Sequence, residues 1–513
     1  MTPDRRPDLV IVLTDQHRAD VSRREGFPLD TTPFTDELAR RGVWFDRAYT
    51  TSPLCCPART SLLTGRWPSA HRVVQNPAQD QAVFHTDLFG TARAAGYATA
   101  HVGKNHTYLG EQDVDHFVDY MHQGRVGGST DPDEAAFEEW LDGLNFHNAD
   151  EPAPFPVELQ NPYRIVSDTI AWADSVPDDQ PLLAVVSFPE PHNPYQAPEP
   201  YYSMFPPEDL PPLVAGKESL DDLPFAWRYL HGIGEAAFAD YDDVVDRARS
   251  NYLGMLRLVD DQVRRLHEHL GRTRGAAGRR PQVMALTADH GDFVGEYGLL
   301  RKGAEISDIL ARVPLVVAGD DVRPPRAPED QGARGAHTAH VSIADLLPTL
   351  CEAMGAATPP GVQGRSLWQL LTGADFPHEE FASAYVEQGM GGLPYGPEDV
   401  TDDRRPGLFH DRPGGEARFD ELNAVTQSGR RRKVRSGDWT LYADVTGGFR
   451  LYDVGTDPLE LQDRWADPAL AAVRESLLRA LAVWQMRAED PLPVVPRGYP
   501  VKADPHGYVA PYA

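Results

Sequence analysis

The sequence predicts an α/β fold with a mostly parallel central sheet flanked by helices, followed by a smaller α+β part with an antiparallel sheet. Two observations predict the large sheet. Short apolar runs alternate with helical patterns up to about residue 375, and polar clusters follow the ends of those runs. A third observation predicts the smaller part, because from Phe381 onward short β-like runs such as DWTLYADV and FRLYDV dominate. We therefore divide the chain into residues 1–375 and 376–513.

The elements of the first part follow from hydrophobic periodicity. Strands are predicted at Leu9–Thr14, Val43–Ala48, Ala98–Val102, Leu182–Phe188, Val283–Thr287 and Val313–Ala318. Helices are predicted at Thr32–Arg41, Thr86–Ala95, Tyr241–Leu270 and Ser342–Met354. Pro348 is expected to kink the last helix.

The smaller part shows a hairpin and a terminal helix. Thr446-Gly447-Gly448 separates two of the β-like runs and predicts the hairpin turn. Asp467 as N-cap and Pro468 in the first turn predict a helix to about Met486. From about residue 491 a Pro-rich tail follows, which we expect to run over the chain's own surface or a neighbour's. Such a tail would suit exchange between subunits of a homo-oligomer.

The amino-acid composition argues against several classes of binding partner. A formal net charge of -28 predicts repulsion from nucleic acid and from anionic membranes, so an anionic substrate needs a local positive site. Only three cysteines occur in 513 residues, which argues against a disulfide framework and for a reducing compartment. The first residues lack a signal-peptide pattern, and no run is long and apolar enough to span a membrane. We therefore expect a cytoplasmic protein.

Polar clusters follow five of the predicted strands. Asp15-Gln16-His17-Arg18, Cys55-Cys56-Pro57-Ala58-Arg59, Gly103-Lys104-Asn105-His106, Pro191-His192-Asn193-Pro194 and Asp289-His290-Gly291-Asp292 come after successive runs, with Lys302 a little further on. Ligands of open α/β sheets bind beyond the carboxyl ends of the strands, so these residues are expected to converge there.

The residue types in these clusters indicate a chemistry. Asp15, Asp289 and His290 could hold a divalent cation. Lys104, Lys302 and Arg59 suit an oxyanion, and His106 and His192 are candidates for proton transfer.

The segment Cys55–Gly65, CCPARTSLLTG, resembles the signature of the type I sulfatases, C-x-P-S/A-R followed by x-x-x-L-T-G. In that family the signature cysteine is oxidised to formylglycine. The spacing selects Cys55 and not Cys56, since only Cys55 has Pro at +2 and Arg at +4. Companion motifs follow in order: the early Asp, G-K-x-H, P-H-x-P, D-H-G-D, a later Lys, R-V-P-L and YDVGTDPLELQD.

The resemblance implies an alkaline phosphatase-like fold and a mechanism. Hydrated formylglycine at position 55 would bind one metal ion and attack sulfur in line. The resemblance gives Asp15, Gln16, Asp289 and His290 as the other metal ligands. It further implies that Lys104, Lys302 and Arg59 hold the sulfate oxygens, that His192 with Lys302 protonates the leaving alkoxide, and that His106 deprotonates the remaining hydroxyl. A formylglycine-generating enzyme would then be a maturation partner.

Two departures from the family pattern bear on metal and substrate. Gln16 stands where many members have a second Asp, and His290 stands where they have Asn, so Mn²⁺ becomes plausible beside Ca²⁺. Both residues resemble the choline-sulfatase and phosphonate-monoester-hydrolase branch, whose members tend to be cytoplasmic.

The leading hypothesis is therefore a sulfatase acting on a small alkyl or aryl sulfate ester. The alternative is a phosphonate monoester or phosphodiester hydrolase with the same apparatus. A hypothesis of another class is an inactive anion-binding protein with unmodified Cys55.

Five residues are predicted to line the substrate pocket. They are Asn76, Tyr195, Gln196, Glu387 and Gln388. For Asn76 a structural role in a turn stays open as the alternative.

Overall fold

The computed structural model describes residues 6–274, 280–401, 404–412, 415–494 and 502–510. The strands are β1 (Asp8–Thr14), β2 (Val43–Phe45), β3 (Ala48–Tyr49), β4 (Ala98–Lys104), β5 (His116–Met121), β6 (Gly124–Arg125), β7 (Leu182–Phe188), β8 (Gln282–Ala288), β9 (Leu315–Gly319), β10 (Val341–Ser342), β11 (Ala384–Gly391), β12 (Leu408–Phe409), β13 (Arg418–Phe419), β14 (Gly429–Ser436), β15 (Trp439–Asp444) and β16 (Phe449–Asp453). The α-helices are α1 (Pro33–Arg41), α2 (Cys55–Thr64), α3 (Pro68–His71), α4 (Leu88–Ala94), α5 (Pro132–Gly143), α6 (Asn161–Ser175), α7 (Tyr201–Met204), α8 (Phe225–Ala237), α9 (Val245–Thr273), α10 (Asp308–Ala311), α11 (Leu346–Met354), α12 (Trp368–Thr372), α13 (Ala424–Gln427) and α14 (Ala471–Arg487).

The central sheet has eight strands in the order β2-β9-β8-β1-β7-β4-β5-β6. Its five middle strands, from β8 to β5, are parallel to one another, whereas β9 is antiparallel to both β8 and β2. The predicted α/β class is confirmed, with a mixed and mostly parallel sheet. Five neighbouring carboxyl ends therefore lie along one edge.

Helices cover both faces of this sheet because successive side chains of a strand point to opposite sides. Leu9, Ile11 and Leu13 of β1 pack with residues of α2, α4 and α11. Val10 and Val12 pack on the other face, with residues of α1, α6 and α9. Burying each such aliphatic side chain contributes roughly 1.5–3 kcal/mol, so the near-continuous apolar runs hold the sheet at the centre.

Two strand predictions need correction. The run Val43–Ala48 is not one strand: β2 ends at Phe45, and Ala48 belongs to β3, which pairs with β10 in a separate sheet. The polar pair Asp46-Arg47 forms the turn between them. The predicted strand Val313–Ala318 begins only at Leu315, after Pro314, because proline has no N–H to give to a ladder.

The helix carrying Pro348 is not kinked. It begins at Leu346, so Pro348 lies in the first turn, where a backbone N–H would have no partner within the helix. The sequence analysis also missed β5, α5 and α6. β5 is half-buried over most of its length, and its mixed sequence HFVDYM has neither a continuous apolar run nor clean alternation.

The C-terminal part contains the predicted antiparallel sheet, in the order β11-β14-β15-β16. The turn Thr446-Gly447-Gly448 joins β15 to β16 as predicted. Asp467 accepts a hydrogen bond from the backbone N–H of Ala469 ahead of α14. The predicted division near residue 375 lies between α12 and β11.

Residues 502–510 of the tail lie against the chain's own large part. The hydroxyl of Tyr508 donates to the carbonyl of Ser366 at 2.6 Å. Residues 495–501 and 511–513 of the predicted tail lie outside the described residues. Among the described helices, none combines the length and apolar character that a bilayer span requires.

Candidate active site

Polar side chains converge where the five parallel strands end. β1 leads into Asp15, β8 into Asp289 and His290, β7 into the loop of His192, β4 ends at Lys104, and β5 is followed by His122. The cluster is thus a direct consequence of strand order, because neighbouring parallel strands place their carboxyl ends side by side.

A close approach between two strands explains the glycine of the Gly103-Lys104 pair. Gly103 has φ +110°, and a Cβ there would lie 1.8 Å from the carbonyl oxygen of Ser187 on β7. Glycine lacks that Cβ, so β4 can lie against β7 up to its end. This contact positions Lys104 at the edge.

Four residues form a group that could hold a metal ion. One ligand atom from each of Asp15, Cys55, Asp289 and His290 lies within 4.8 Å of the others, and all four residues are buried. The Nδ1 of His290 lies 2.9 Å from the carbonyl oxygen of Gly291, to which it donates, so its Nε2 lone pair faces the group. Two carboxylates, one imidazole nitrogen and position 55 form a donor set that fits a divalent cation.

The electrostatics of this group fit a bound cation. Burial and the nearby Asp15 carboxylate raise the pKa of Asp289. Burial lowers the pKa of His290, but Asp289 and Cys55 outweigh it and the net shift is upward. Two buried carboxylates this close repel each other, and a positive ion between them would remove that cost.

Arg59 binds carboxylates, which differs from its expected role as an oxyanion ligand. Its Nε donates to Asp289 at 2.8 Å and its Nη2 to Asp15 at 3.1 Å. Its Nη1 donates to the Lys104 carbonyl and to the Ser187 hydroxyl, at 2.8 and 2.7 Å. With four bonds from its five N–H groups, Arg59 orients both carboxylates and has little left for a substrate oxygen.

Gln16 lies beside the four residues that could hold a metal ion. Its side-chain oxygen accepts from Lys302 Nζ at 2.5 Å, and its amide nitrogen donates to Asp292 at 2.6 Å. Its backbone N–H donates to Asp289 Oδ1 at 3.1 Å. Gln16 therefore links Asp289 to Lys302 beside the group that could hold the ion.

Position 55 lies at the N-terminus of α2 between the acidic group and two lysines. Its Sγ is 3.2 Å from His290 Nε2, 3.7 Å from Asp15 Oδ1 and 3.8 Å from Lys104 Nζ. Burial and Asp15 raise the pKa of Cys55, but Lys104, Lys302 and His290 together hold it well below its ordinary value. An anionic group is thus stabilised at this position.

Lys104 makes the positive side of the site. Its Nζ donates to Asp15 and lies 2.9 Å from His122 Nε2. Burial raises the pKa of Asp15, but nearby positive charges, Lys104 first among them, outweigh it, so that pKa lies well below its usual value. Lys104 and Asp15 are therefore a buried ion pair next to position 55.

His192 and Lys302 form a second pair. The Nε2 of His192 lies 3.2 Å from Lys302 Nζ, and its Nδ1 donates to the carbonyl of Asn193 at 2.6 Å. Burial, His122 and Lys302 lower the pKa of His192, so its ring is neutral and accepts at Nε2. Lys302 also lies 3.2 Å from Glu421, a residue of the C-terminal part that the sequence analysis did not single out. Glu421 belongs to no motif, so its position could come only from the fold.

The histidine in contact with Lys104 is His122, which the sequence analysis did not single out. His106 follows β4 with φ 47°, and its Nδ1 is buried without a hydrogen-bond partner among the described residues. His122, which follows the missed strand β5, is the histidine that contacts Lys104. Since β4 and β5 pair in parallel, their carboxyl ends are neighbours. A prediction of β5 would therefore have identified His122 as a candidate site residue.

Two predicted pocket residues are engaged by hydrogen bonds around the site. The side-chain oxygen of Asn76 accepts from the backbone N–H of Cys56 at 2.9 Å, which supports the first turn of α2. The hydroxyl of Tyr195 donates to Asp292 at 2.8 Å and accepts from the Arg301 N–H at 3.0 Å. The contact of Asn76 matches the alternative structural role.

The other three predicted pocket residues are also buried. Glu387 accepts from the backbone N–H of Ser69 and from the Tyr385 hydroxyl, and it pairs with Arg432, so the structure places it in a supporting network. Gln196 donates to Gln160, and Gln388 donates to Gln427. The side-chain oxygens of Gln196 and Gln388 have no partner among the described residues, so they remain candidates for ligand contacts.

Comparison with known proteins is decisive at the family level. The sequence model of the sulfatase family matches residues 7–356, which is most of the chain and includes every motif residue from Asp15 to Lys302. The chain belongs to the sulfatase family. Members of this family are sulfuric ester hydrolases, and this sulfatase-family chain is therefore an enzyme of that class.

Two curated relatives span nearly the whole chain. The multifunctional alkaline phosphatase superfamily protein PehA of Trinickia caryophylli is 26% identical over 533 residues, covering 94% of this chain and 96% of that protein. The choline-sulfatase of Rhizobium meliloti is 27% identical over 512 residues, covering 94% of this chain and 88% of that protein. The predicted branch is thus represented among the relatives of this sulfatase-family chain.

A solved structure shares the fold. The phosphonate monoester hydrolase of Agrobacterium radiobacter superposes with a TM-score of 0.70 at 23% identity, covering 95% of this chain and 97% of that one. The similarity extends through the C-terminal antiparallel sheet, so the sulfatase-family chain shares the whole two-sheet architecture.

Proposed function

We propose that the protein hydrolyses a small alkyl or aryl sulfate ester, using formylglycine formed from Cys55 and one divalent ion, Ca²⁺ or Mn²⁺. The observation that carries this proposal is the position of Cys55 Sγ, which lies within 4 Å of His290, Asp15 and Lys104. Asp15 and His290, which could bind a metal ion, and the ammonium group of Lys104 thus surround Cys55, the residue that the family signature selects. Asp15, Asp289 and His290 would hold the ion, with Gln16 as the fourth protein ligand beside position 55.

When bound, the metal and formylglycine would supply Lewis-acid activation and an oxygen nucleophile. The chain's own residues hold the remaining charges in place. Arg59 fixes Asp15 and Asp289, which sets the geometry of the ion site. Lys104 Nζ, 3.8 Å from Sγ, faces the position of a substrate oxyanion, and its charge stabilises negative charge that develops there.

His192 and Lys302 are assigned to the leaving group. The bond from His192 Nδ1 to the Asn193 carbonyl fixes the ring with Nε2 toward Lys302 Nζ. A proton held on that ammonium can pass to a leaving alkoxide directly or through His192 Nε2. Burial lowers the pKa of Lys302, but Cys55 and Glu421 outweigh it and raise the pKa, so the lysine carries its proton at neutral pH. The expected role of His106 in removing a proton stays a prediction.

The second candidate is hydrolysis of a phosphonate monoester or phosphodiester. It is favoured by Gln16 and His290, which give the ion site a neutral amide and an imidazole, and by the fold shared with the phosphonate monoester hydrolase. The third candidate is an anion-binding protein in which Cys55 stays a thiol. The three cysteines, all unpaired and buried, support maturation in a reducing cytoplasm by a formylglycine-generating enzyme.

The test begins with the tryptic peptide Ala48–Arg59 from protein made together with a formylglycine-generating enzyme. We expect a mass change that corresponds to loss of one sulfur and two hydrogens and gain of one oxygen at Cys55. The variant C56A keeps the signature and should be modified equally, whereas C55A should not be. An unmodified thiol at Cys55 would favour the anion-binding protein instead.

The modified protein is then assayed on a matched panel of an aryl sulfate, a phenyl phosphonate ester and a phosphodiester. Higher kcat/KM on the sulfate supports the proposal. Equal or higher kcat/KM on a phosphorus ester would make the second candidate the function.

A further inference from the structure

The carboxylate of Glu421 reaches Lys302 from the C-terminal part of the chain. Its Oε1 lies 3.2 Å from Lys302 Nζ, and both side chains are almost fully buried. The same ammonium group contacts the side-chain oxygen of Gln16 at 2.5 Å and His192 Nε2 at 3.2 Å. Since an ammonium group has three N–H bonds, these three contacts together can fix its position.

The backbone on both sides of Lys302 is bent into the left-handed region. Arg301 has φ +70°, Gly303 has φ +115° and Ala304 has φ +55°. A left-handed backbone costs free energy at residues other than glycine and persists only where surrounding contacts enforce it. Contacts on the residues next to Lys302 therefore bear on where its side chain points.

Residues 419–421 supply several of these contacts. Arg301 Nη1 donates to the carbonyl of Phe419 at 3.2 Å, and its guanidinium carbon lies 4.1 Å from the centroid of the Phe419 ring. The same nitrogen lies 3.5 Å from the Glu421 carboxylate. On the other side, a Cβ at Gly303 would lie 2.8 Å from the carbonyl oxygen of Glu421, so glycine permits this close approach. One short segment thus contacts Lys302 and both of its neighbours.

The charge of Glu421 matters more once Cys55 is modified. A buried ammonium group is costly unless a negative charge lies beside it. A thiolate at position 55 could supply such a charge, but formylglycine has no ionisable thiol. The two carboxylates of the proposed ion site are already bonded to Arg59. Glu421 is then the carboxylate that balances Lys302 by direct contact.

We propose that Glu421 is a positioning residue for the leaving-group step, because its carboxylate holds the Lys302 ammonium group where it can protonate the departing oxygen. This inference rests on the proposed function and extends its leaving-group residues to the C-terminal part. As the ester bond breaks, its electron pair stays on the leaving oxygen, which takes a proton from Lys302 directly or through His192. The lysine then regains a proton from water. Glu421 itself neither gives nor takes a proton.

Leaving groups of different basicity separate this role from simple structural support. A phenyl ester needs a proton on its leaving oxygen, whereas 4-nitrophenolate departs well without one. For E421A we expect kcat to fall about 10- to 100-fold on the phenyl ester, the usual effect of losing a contact to a charged group. On the 4-nitrophenyl ester the fall should stay within about threefold, and E421Q, which keeps an oxygen acceptor, should recover part of the loss.

The quantity compared is the ratio of the two kcat values measured on one preparation. This ratio does not depend on the folded fraction or on the formylglycine content. Glu460 provides the matched control, because it is as buried as Glu421 and pairs with the buried Lys433 at 2.5 Å. E460A and E460Q should keep the ratio of the unaltered enzyme. The two glutamine variants carry the comparison if the alanine variants do not fold.

An unchanged ratio in E421A and E421Q would overturn the positioning role, and so would an equal change in the Glu460 variants. If a phosphorus ester is the best substrate, the same two leaving groups are compared on that ester. Failure of the proposed function shows itself differently, as absent turnover of every ester by formylglycine-containing protein. A crystal structure of E421A then decides. Lys302 Nζ should leave hydrogen-bonding distance of His192 Nε2, and an unmoved ammonium group would overturn the inference.

Discussion

Replacing Lys302 with methionine should damage catalysis and stability by separable amounts. The ammonium group is almost fully buried and lies 2.5 Å from the Gln16 oxygen, 3.2 Å from His192 Nε2 and 3.2 Å from Glu421. K302M removes the positive charge that we assign to the leaving group. Losing one such electrostatic donor typically lowers kcat by about 100- to 1,000-fold. Among the described residues, Arg301 at 3.5 Å is then the one cation that still pairs with the buried Glu421 carboxylate. Breaking a buried pair costs about 3–5 kcal/mol of folding free energy.

A second buried lysine provides a control for the loss of stability in K302M. Lys433 is equally buried and bonds Glu460 at 2.5 Å and Asp308 at 3.4 Å, among residues that the site does not use. K433M should show a similar fall in the melting temperature while the folded fraction keeps its kcat. The assay is kcat on the best ester of the panel, corrected for formylglycine content, together with thermal unfolding of both variants. If K302M keeps kcat within about tenfold of the unaltered enzyme, Lys302 is structural and its assignment to the leaving group is refuted.

Two further predictions concern the ion site and pH. Treatment with a chelator should abolish turnover and lower the melting temperature, because Asp15 and Asp289 then repel each other. Ca²⁺ or Mn²⁺ should restore both, and elemental analysis reports which ion binds; unchanged activity after complete removal would contradict the ion site. Burial raises the pKa of Asp260 to about 6, so its stabilising contribution is complete below the unfolded value near 4 and is lost as pH rises through 6. D260N should therefore remove up to about 3 kcal/mol of the pH dependence of unfolding between pH 4 and 6, whereas an unchanged slope in denaturant titrations would contradict it.

The convergence of the polar residues is predictable from the sequence wherever a polar residue directly follows an apolar strand. Asp15, Lys104 and Asp289 were found in this way, because buried parallel strands are strongly apolar and neighbouring carboxyl ends converge. Arg59 lies in the polar cluster, as the sequence predicts, but its bonds to two carboxylates can be recognised only from three-dimensional contacts.

The residues that sequence analysis missed depend on weak or long-range signals. His122 was hidden because β5 is half-buried and its alternation is irregular, so the nearby motif histidine His106 was favoured. Glu421 lies more than a hundred residues after Lys302 in sequence, and nothing in its surroundings indicates a partner in the large sheet. A prediction from periodicity cannot find such a pair, since periodicity reports only local burial.

The contact between Lys302 and Glu421 connects the candidate active site to the C-terminal part of the chain. A chain cut near residue 375 would keep every motif from Asp15 to Arg312–Leu315 and still lose the carboxylate that pairs with Lys302. Relatives with identical motifs can therefore differ in chemistry through changes in the segment around residue 421. In this fold, a relative can keep the signature motifs and still catalyse a different reaction.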